Sequence, residues 1–296
     1  MLMQAQVDQE EKPKVIGYVY YGYRTLDERF FMKIAKNKNV KLIIFNLFKK
    51  IDLKKVRKKA KSCDLFFVNS GEEKALKFVK YLESLDCRVI ESLKSYYHDE
   101  NKWALYLKCK KNHIPTPKTI ILPKEINSAL NKLEKVNRWP IVLKRIYGCQ
   151  GDFVDKANNL EEAEQLIKKF NSKSKSTHPI IAQNFISSPS YRVLVIDGKI
   201  VQTALKKKGF WKKTGVYTKD FKKFKVTPTL KKIINKISKV SGIRICGIDL
   251  LKKNGRWYVL ELNSSPCLAF FDNEREMLVE KIMNFLVKEI DKKVVG

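Results

Sequence analysis

Residues 246–251 read Cys-Gly-Ile-Asp-Leu-Leu, and residues 259–266 read Val-Leu-Glu-Leu-Asn-Ser-Ser-Pro. Both are apolar runs of strand length and predict a pair of β-strands. One strand carries Asp249, and the other carries Glu261 and Asn263 on a shared face, because side chains alternate with a period of two. Oxygen ligands grouped in this way are what Mg2+ prefers in proteins. Alternatively, all three are simply solvent-facing strand residues.

The turn between these strands decides which residues face each other. Asn254-Gly255 is a signal for a two-residue hairpin turn. Such a turn would pair Asp249 with Leu260 and send Glu261 to the opposite face of the sheet. An odd-numbered loop would place Asp249 and Glu261 on one face. The metal-site hypothesis therefore predicts an odd-numbered loop.

The first part of the chain has the rhythm of a parallel sheet. Short apolar runs alternate with longer Lys-rich amphipathic stretches, as in β-α-β units. The predicted strands cover residues 15–20, 41–45, 65–69 and 88–90. No GxGxxG motif occurs in this open α/β module, so a dinucleotide fingerprint is absent. We expect the clustered tyrosines 18, 20, 21 and 23 to be strand and core residues, and the alternative is a platform for stacking.

The prolines in 113–117, His-Ile-Pro-Thr-Pro, predict a domain junction after a helix across 98–112. Further strands are predicted at 118–122, 140–144, 180–185, 191–196, 199–205, 245–251 and 256–262, and helices at 126–136, 229–240 and 274–290. Gly148-Cys-Gln-Gly151 follows a strand, and its bare backbone amides are suited to an anion. Residues 206–225 show no clear period and are interpreted as a functional loop or lid.

The chain has 296 residues, with 61 Lys and Arg against 31 Asp and Glu, which gives a formal net charge of +30. Its hydrophobic content of 44% is enough for a core and excludes a disordered or collagen-like chain. The positive charge favours an acidic ligand, such as a nucleotide, carboxylate or phosphate. Because the excess is mainly Lys on amphipathic helix faces such as 52–61, we interpret it as solvated surface rather than a nucleic-acid site.

The cysteines are scattered and form no CxxC pair, which indicates neither a zinc site nor a disulfide framework and fits the reduced cytosol. Residues 1–13 lack the apolar core of a signal peptide, and no later run is long enough to span a membrane. We therefore expect a cytoplasmic protein with a flexible tail over residues 1–13 and no membrane partner.

Five segments in order resemble an ATP-grasp enzyme, and most closely the RimK-type carboxylate–amine (glutamate) ligases. They are Pro-Ile-Val-Leu-Lys-Arg-Ile-Tyr-Gly-Cys-Gln-Gly (140–151), Ile-Ile-Ala-Gln-Asn-Phe-Ile (180–186), Tyr-Arg-Val-Leu-Val-Ile-Asp-Gly (191–198), Gly-Ile-Asp (247–249) and Glu-Leu-Asn-Ser-Ser-Pro (261–266). The resemblance implies an α/β (α+β) ATP-grasp fold, in which an N-terminal open α/β domain precedes two subdomains that clasp the nucleotide. The implied domains are 14–95, 96–184 and 185–296, the last with the metal site.

The resemblance also implies roles for individual residues. Lys102 and Lys144 would contact ATP phosphates, and Lys144 and Arg192 would be catalytic, because they would neutralise charge on the transferred phosphoryl group. The other nucleotide-binding residues would be Gly148, Gly151, Gln183, Asn184, Phe185, Ile186 and Ser190. Within this set, 183–186 would read adenine through its backbone. The ligands of Mg2+ or Mn2+ would be Asp249, Glu261 and Asn263.

The sequence departs from the family pattern at a few positions. Asn184 stands where the family usually has Glu, and Ser190 stands where it has Asp. The lid region over 209–219 also differs from that of the standard glutamate ligases. Its aromatic and basic residues predict an anionic acceptor with an apolar or aromatic body. They are Phe210, Trp211, Lys212, Lys213, Tyr217 and Lys219.

The implied reaction is ATP-dependent: a carboxylate attacks the γ-phosphate, and an amine opens the resulting acyl-phosphate to an amide. The substrates would be an amino acid, for example glutamate, and an anionic small molecule or peptide, and a homo-oligomer is compatible with the sequence. One alternative is an ATP-grasp inositol phosphate kinase, which the chain resembles at 15–18, 183–186 and 246–249. Another is a basic nucleic-acid-binding module without catalysis.

Overall fold

Three β-sheets follow one another along the described part of the chain, each covered by helices. The computed structural model describes residues 12–136, 138–148, 153–173, 178–206 and 220–292. Within these ranges no helix is both long and apolar enough to cross a membrane. Within the same ranges no cysteine forms a disulfide bond.

The first sheet is parallel, with the strand order β2-β1-β3-β4, as the alternating pattern predicted. Its strands are β1 (Lys14–Tyr20), β2 (Val40–Asn46), β3 (Leu65–Asn69) and β4 (Val89–Ile90). The helices are α1 (Leu26–Asn37), α2 (Leu53–Ala60) and α3 (Glu73–Glu83). Gly17 leaves the space that the Phe66 ring fills from the neighbouring strand, because a Cβ at Gly17 would lie 2.4 Å from that ring.

Two helices, α4 (Leu93–Glu100) and α5 (Lys102–Lys111), lead into the second sheet. This sheet is antiparallel, with the order β5-β8-β6-β7. Its elements are β5 (Thr119–Ile121), α6 (Ile126–Val136), β6 (Ile141–Arg145), β7 (Val154–Ala157), α7 (Leu160–Ser172) and β8 (Ile180–Asn184). The domain boundary expected between residues 95 and 96 lies inside α4.

The third sheet is antiparallel, with the order β11-β10-β9-β12-β13. Its elements are β9 (Tyr191–Ile196), β10 (Lys199–Lys206), β11 (Phe221–Lys222), α8 (Pro228–Ser241), β12 (Ile245–Lys253), β13 (Arg256–Asn263) and α9 (Arg275–Asp291). Strand β11 pairs with the end of β10, so part of the region interpreted as a lid is sheet. The lid residues 210–213, 217 and 219, like Gly151, lie outside the described residues.

The tyrosine cluster divides at the end of β1. Tyr18 and Tyr20 are buried, at 1% and 4% exposure, as predicted. Tyr21 and Tyr23 are 37% and 81% exposed, so the prediction that they belong to the core is wrong. The strand ends at Tyr20, and Gly22 follows in a left-handed conformation with φ of 115°, which turns the chain away from the core.

The hydrophobic cores do not follow the three sheets one to one. One core joins apolar residues of the first sheet to residues of β9, β12 and α9. A separate core lies between the second sheet and its helices, and its buried members all come from residues 122–182. The first and third sheets therefore share a core, while the second sheet has its own.

Candidate active site

The hairpin of β12 and β13 carries three of the predicted site residues. Its turn has two residues, since Lys253 pairs with Arg256. The prediction of an odd-numbered loop is therefore wrong. A β-bulge with Leu260 as its extra residue shifts the register, and Asp249 pairs with Glu261. The bulge thus brings the two carboxylates together on one face, which the metal-site hypothesis requires.

Asp249 is the centre of a polar cluster on this face. Arg192 lies opposite it on β9 and donates two hydrogen bonds to its carboxylate, through Nε and Nη2. Asn263 Nδ2 donates to Asp249 Oδ2 at 3.4 Å. Burial opposes the charge of Arg192, but contact with Asp249 outweighs it and raises the pKa of the guanidinium. Arg192 is therefore cationic throughout the physiological range.

Glu261 is paired with Lys102, the first residue of α5. Lys102 Nζ lies 3.2 Å from Glu261 Oε1 and donates to the carbonyl of Gly148 at 2.6 Å. Burial would raise the pKa of Glu261, but the charges of Lys102 and Lys144 outweigh it, so the pKa is lowered. Lys102 thus joins the hairpin of β12 and β13 to the start of the glycine loop, where Gly148 has φ of 132°.

Lys144 approaches the same cluster from β6. It is buried, and its Nζ donates to Gln183 Oε1 on β8 at 2.9 Å. Gln183 Nε2 in turn donates to Thr119 Oγ1 on β5 at 3.0 Å. Burial lowers the pKa of Lys144 to about 8, and the charge of Lys102 adds to this, while Glu261 acts against it. The ammonium group is therefore shielded from water and positioned to bind an anionic ligand.

The segment expected to read adenine follows β8. The backbone N–H groups of Asn184 and Phe185 donate to the carbonyls of Lys118 and Pro140, at 2.8 and 3.3 Å. These two donors are committed to the second sheet. Ile186 lies just beyond the end of β8. The roles of Asn184, Phe185 and Ile186 in nucleotide binding remain predictions.

Ser190 lies just before β9, two residues from Arg192. Its carbonyl accepts a hydrogen bond from the backbone of Lys206 at 3.0 Å, which aligns β9 with the end of β10. The structure thus places Ser190 at the edge of the cluster. Its expected contact with nucleotide remains a prediction.

The donor set fits a magnesium–nucleotide complex better than a bare metal ion. Among the described residues, no group of three or more His, Cys, Asp or Glu side chains is placed to hold a metal ion. Asp249, Glu261 and Asn263 provide two carboxylates and one amide instead. Mg2+ bound by one or two carboxylates usually takes its remaining ligands from water and phosphate. The nearby cations Lys102, Lys144 and Arg192 suit those phosphates.

Two residues that make supporting contacts, Asn101 and Ser265, were not predicted from the sequence. Asn101 caps α5 by accepting from the backbone of Ala104 at 2.9 Å, and its Nδ2 donates to Tyr147 Oη at 3.1 Å. Asparagine before a helical segment is a capping signal and could have revealed the first contact. Ser265 Oγ donates to Asn69 Oδ1 at 3.3 Å, which links the segment after β13 to the first sheet. No local sequence signal indicates this second contact.

Comparison with known proteins identifies the family. A family model described as a RimK-like ATP-grasp domain matches residues 99–286. The coenzyme gamma-F420-2:alpha-L-glutamate ligase of Methanocaldococcus jannaschii is 31% identical over 216 residues, which are 71% of this chain and 74% of that protein. The chain belongs to the RimK-like ATP-grasp family.

Two further matches to this RimK-like chain agree. The tetrahydromethanopterin:alpha-L-glutamate ligase of Methanocaldococcus jannaschii is 26% identical over 197 residues, which are 63% of this chain and 67% of that protein. The solved structure of a RimK domain ATP-grasp protein from Sphaerobacter thermophilus matches with a TM-score of 0.73 at 13% identity, covering 92% of this chain and 98% of that one. At that identity the structural match shows the ATP-grasp fold alone.

Family membership confirms the predicted fold and enzyme class. The RimK-like chain has the ATP-grasp fold and is an ATP-dependent carbon–nitrogen ligase. Both relatives are ligases by name, which favours the ligase over the inositol phosphate kinase and over a nucleic-acid-binding module.

Proposed function

We propose that this RimK-like protein uses ATP and Mg2+ to join glutamate to an anionic small-molecule or peptide acceptor through an amide bond. The observation that carries the proposal is the convergence of three cations with two carboxylates and an amide. Both relatives described above are glutamate ligases by name, which supports glutamate as the amino acid. The excess of positive charge in the chain suits an anionic acceptor.

The residues divide into two groups in this proposal. Asp249, Glu261 and Asn263 would hold Mg2+, while Lys102, Lys144 and Arg192 would bind the phosphates. When bound, ATP supplies the phosphoryl group that activates a substrate carboxylate as an acyl-phosphate, which an amine opens to an amide with release of phosphate. The buried ammonium of Lys144 and the guanidinium of Arg192 stabilise negative charge on the phosphoryl oxygens during transfer.

A product assay tests the proposal. The protein, ATP, Mg2+ and glutamate are incubated with a panel of anionic carboxylate acceptors, and ADP, inorganic phosphate and the amide are quantified. We expect equal amounts of all three, and we expect hydroxylamine to trap the activated carboxylate as a hydroxamate. Transfer of phosphate to an inositol phosphate, without inorganic phosphate or amide, would establish the kinase instead.

A matched pair of variants separates the site from general charge effects. Lys144→Met should lower kcat/KM by about 100-fold or more, because a preorganised charge on the phosphoryl group is lost. Lys168→Met removes a lysine that pairs with Glu164 at 2.6 Å on the surface of α7, and should leave the rate unchanged. Equal rates for both variants would remove Lys144 from the site.

A further inference from the structure

Three exposed aromatic side chains form a cluster at one edge of the first sheet. Tyr21, Tyr23 and Phe48, here called the aromatic edge cluster, are 37%, 81% and 50% exposed. The Phe48 ring lies 5.6 Å from the Tyr21 ring and 5.5 Å from the Tyr23 ring, measured between centroids. Single exposed aromatics are common, but neighbouring exposed rings mark binding surfaces.

Asn46, the last residue of β2, fixes the backbone of the cluster. Its Nδ2 donates to the carbonyl of Gly22 at 2.9 Å, between the two tyrosines. Its Oδ1 accepts from the backbone N–H of Phe48 at 3.0 Å. One side chain therefore joins the two segments that carry the rings, and the aromatic edge cluster is preorganised rather than loose.

The cluster lies on the side of the first sheet that meets the candidate active site. Tyr20, Asn46 and Asn69 end three adjacent strands and pair with one another in register. Asn69 accepts the hydrogen bond from Ser265, two residues beyond Asn263. Because adjacent strands lie about 4.8 Å apart, the cluster begins about 10 Å from this contact. Ligands of open α/β sheets bind outside the carboxyl ends of the strands.

Positive charge lies beside the aromatic edge cluster. Lys74 Nζ lies 5.6 Å from the centroid of the Tyr21 ring. The other exposed cations next to the cluster in sequence are Arg24, Lys49 and Lys50. The acidic residues nearest to Lys74 in sequence are Glu72 and Glu73, and Glu73 pairs with Lys77 at 2.7 Å. The balance favours a ligand that is both flat and anionic.

We propose that the aromatic edge cluster binds the flat aromatic body of the anionic acceptor while the reacting end of the acceptor lies in the candidate active site. This inference rests on the proposed function and adds a substrate class to it. An acceptor with a heteroaromatic ring system and an acidic tail uses both surfaces. A bare amino acid or an aliphatic peptide contacts the active site but not the aromatic edge cluster.

Binding of matched anions to the full chain tests the inference. The probes are folic acid against N-acetylglutamate, and flavin mononucleotide against ribose 5-phosphate, measured by calorimetry. We expect each aromatic anion to bind about tenfold more tightly than its partner without rings. The double variant Tyr23→Ser with Phe48→Ser should lose this preference. Leu107→Ser, which removes a 46% exposed apolar side chain from α5, should retain it.

The outcomes separate this inference from the proposed function. Equal binding of aromatic and aliphatic anions, or a preference that survives in the double variant, would overturn the role of the cluster. A wild-type dimer that dissociates in the double variant would assign the cluster to contact between copies and also overturn it. Amide formation without any ring preference would leave the proposed function intact. Ring preference without amide formation with any acceptor would overturn the proposed function, and the aromatic edge cluster would then be a binding site for ring-bearing anions but not for an acceptor.

Discussion

Lys144 combines burial with a functional requirement for charge. Because burial lowers its pKa to about 8, the ammonium form is present below that pH and is lost as the pH rises through it. If the cation binds ATP phosphates, kcat/KM for ATP should be constant below about pH 8 and fall about tenfold per unit above it. Initial rates at limiting ATP across pH 6 to 10 measure this profile.

An arginine variant serves as the control for the pH profile. Lys144→Arg keeps a side chain that stays cationic across this pH range, so its profile should remain flat at high pH even if the rate is lower. A fall near pH 8 in both proteins would assign the titration to another group.

Arg192 and Lys102 form ion pairs with the two carboxylates that would bind Mg2+. Arg192 pairs with Asp249, and Lys102 lies 3.2 Å from Glu261. Since both carboxylates are already compensated, we expect calorimetry with Mg2+ alone to show no binding at millimolar concentration. Mg2+ with a non-hydrolysable ATP analogue should bind together, because the phosphates draw the cations away from the carboxylates.

Removing the guanidinium tests this competition directly. Arg192→Gln should strengthen binding of Mg2+ alone, because Asp249 loses its partner, and should weaken binding of the nucleotide. Tight Mg2+ binding by the wild-type protein, or unchanged Mg2+ binding by the variant, would show that the ion pair does not control the site.

The residues that converge in the polar cluster could be named from the sequence, but their pairing could not. Ordered motifs identified Lys144, Arg192, Asp249 and Glu261, since each lies on a strand with a recognisable apolar pattern. The pairing of Arg192 with Asp249 depends on β9 lying beside β12 in an antiparallel register. Strands distant in sequence are brought together by the shared core, which no local pattern encodes.

In the hairpin of β12 and β13, a β-bulge shifts the register that the two-residue turn would otherwise set. Its strands were predicted because apolar runs of strand length lie on both sides of Asn254-Gly255. The bulge at Leu260 was not predicted, because an extra residue in one strand leaves no local signal in composition. Without it, Glu261 would point to the opposite face from Asp249. The structure therefore retains a favourable two-residue turn and still brings both carboxylates to one face.

The turn of this hairpin contributes to stability separately from the chemistry. Asn254 and Gly255 have φ of 49° and 76°, as a type I′ turn requires. Gly255→Val should lower the free energy of unfolding by about 1–2 kcal/mol, because a side chain with a branched Cβ is strained in this conformation. Urea unfolding measures the loss.

Lys253, the exposed residue before the turn, provides the control for Gly255→Val. Lys253→Ala should leave the free energy of unfolding nearly unchanged. Both variants should retain KM for ATP, since the turn lies at the far end of the hairpin from Asp249. A loss of ATP affinity with Gly255→Val would show that the turn and the site are coupled.

Glu91 joins the first and third sheets across their shared core. It follows β4, is 2% exposed, and accepts hydrogen bonds from the backbone N–H groups of Arg244 and Ile245 at 2.9 and 2.7 Å. Glu91→Ala leaves one buried and one partly buried donor without this acceptor. We expect it to lower the free energy of unfolding by about 2–4 kcal/mol, measured by urea unfolding.

Two comparisons decide whether Glu91 acts through these hydrogen bonds. Glu91→Gln keeps one amide oxygen as an acceptor and should cost less than Glu91→Ala. Glu134→Ala removes an exposed carboxylate from α6 and should have little effect. If hydrogen exchange in β1 and β12 responds to Glu91→Ala in different ways, the two sheets do not unfold as one unit.

The second sheet has its own core, drawn from residues 122–182. This affects how recombination between related genes can change the protein. Recombination that joins two related genes inside a shared core leaves mismatched side chains packed against each other. Crossovers at residue 118 and near residue 186 would instead exchange a whole core at once, together with Lys144 and Gln183. Such an exchange leaves the hairpin of Asp249 and Glu261 and the aromatic edge cluster with their original neighbours. Exchange of this single segment between related genes would therefore replace the second sheet and its core while the first and third sheets keep their original packing.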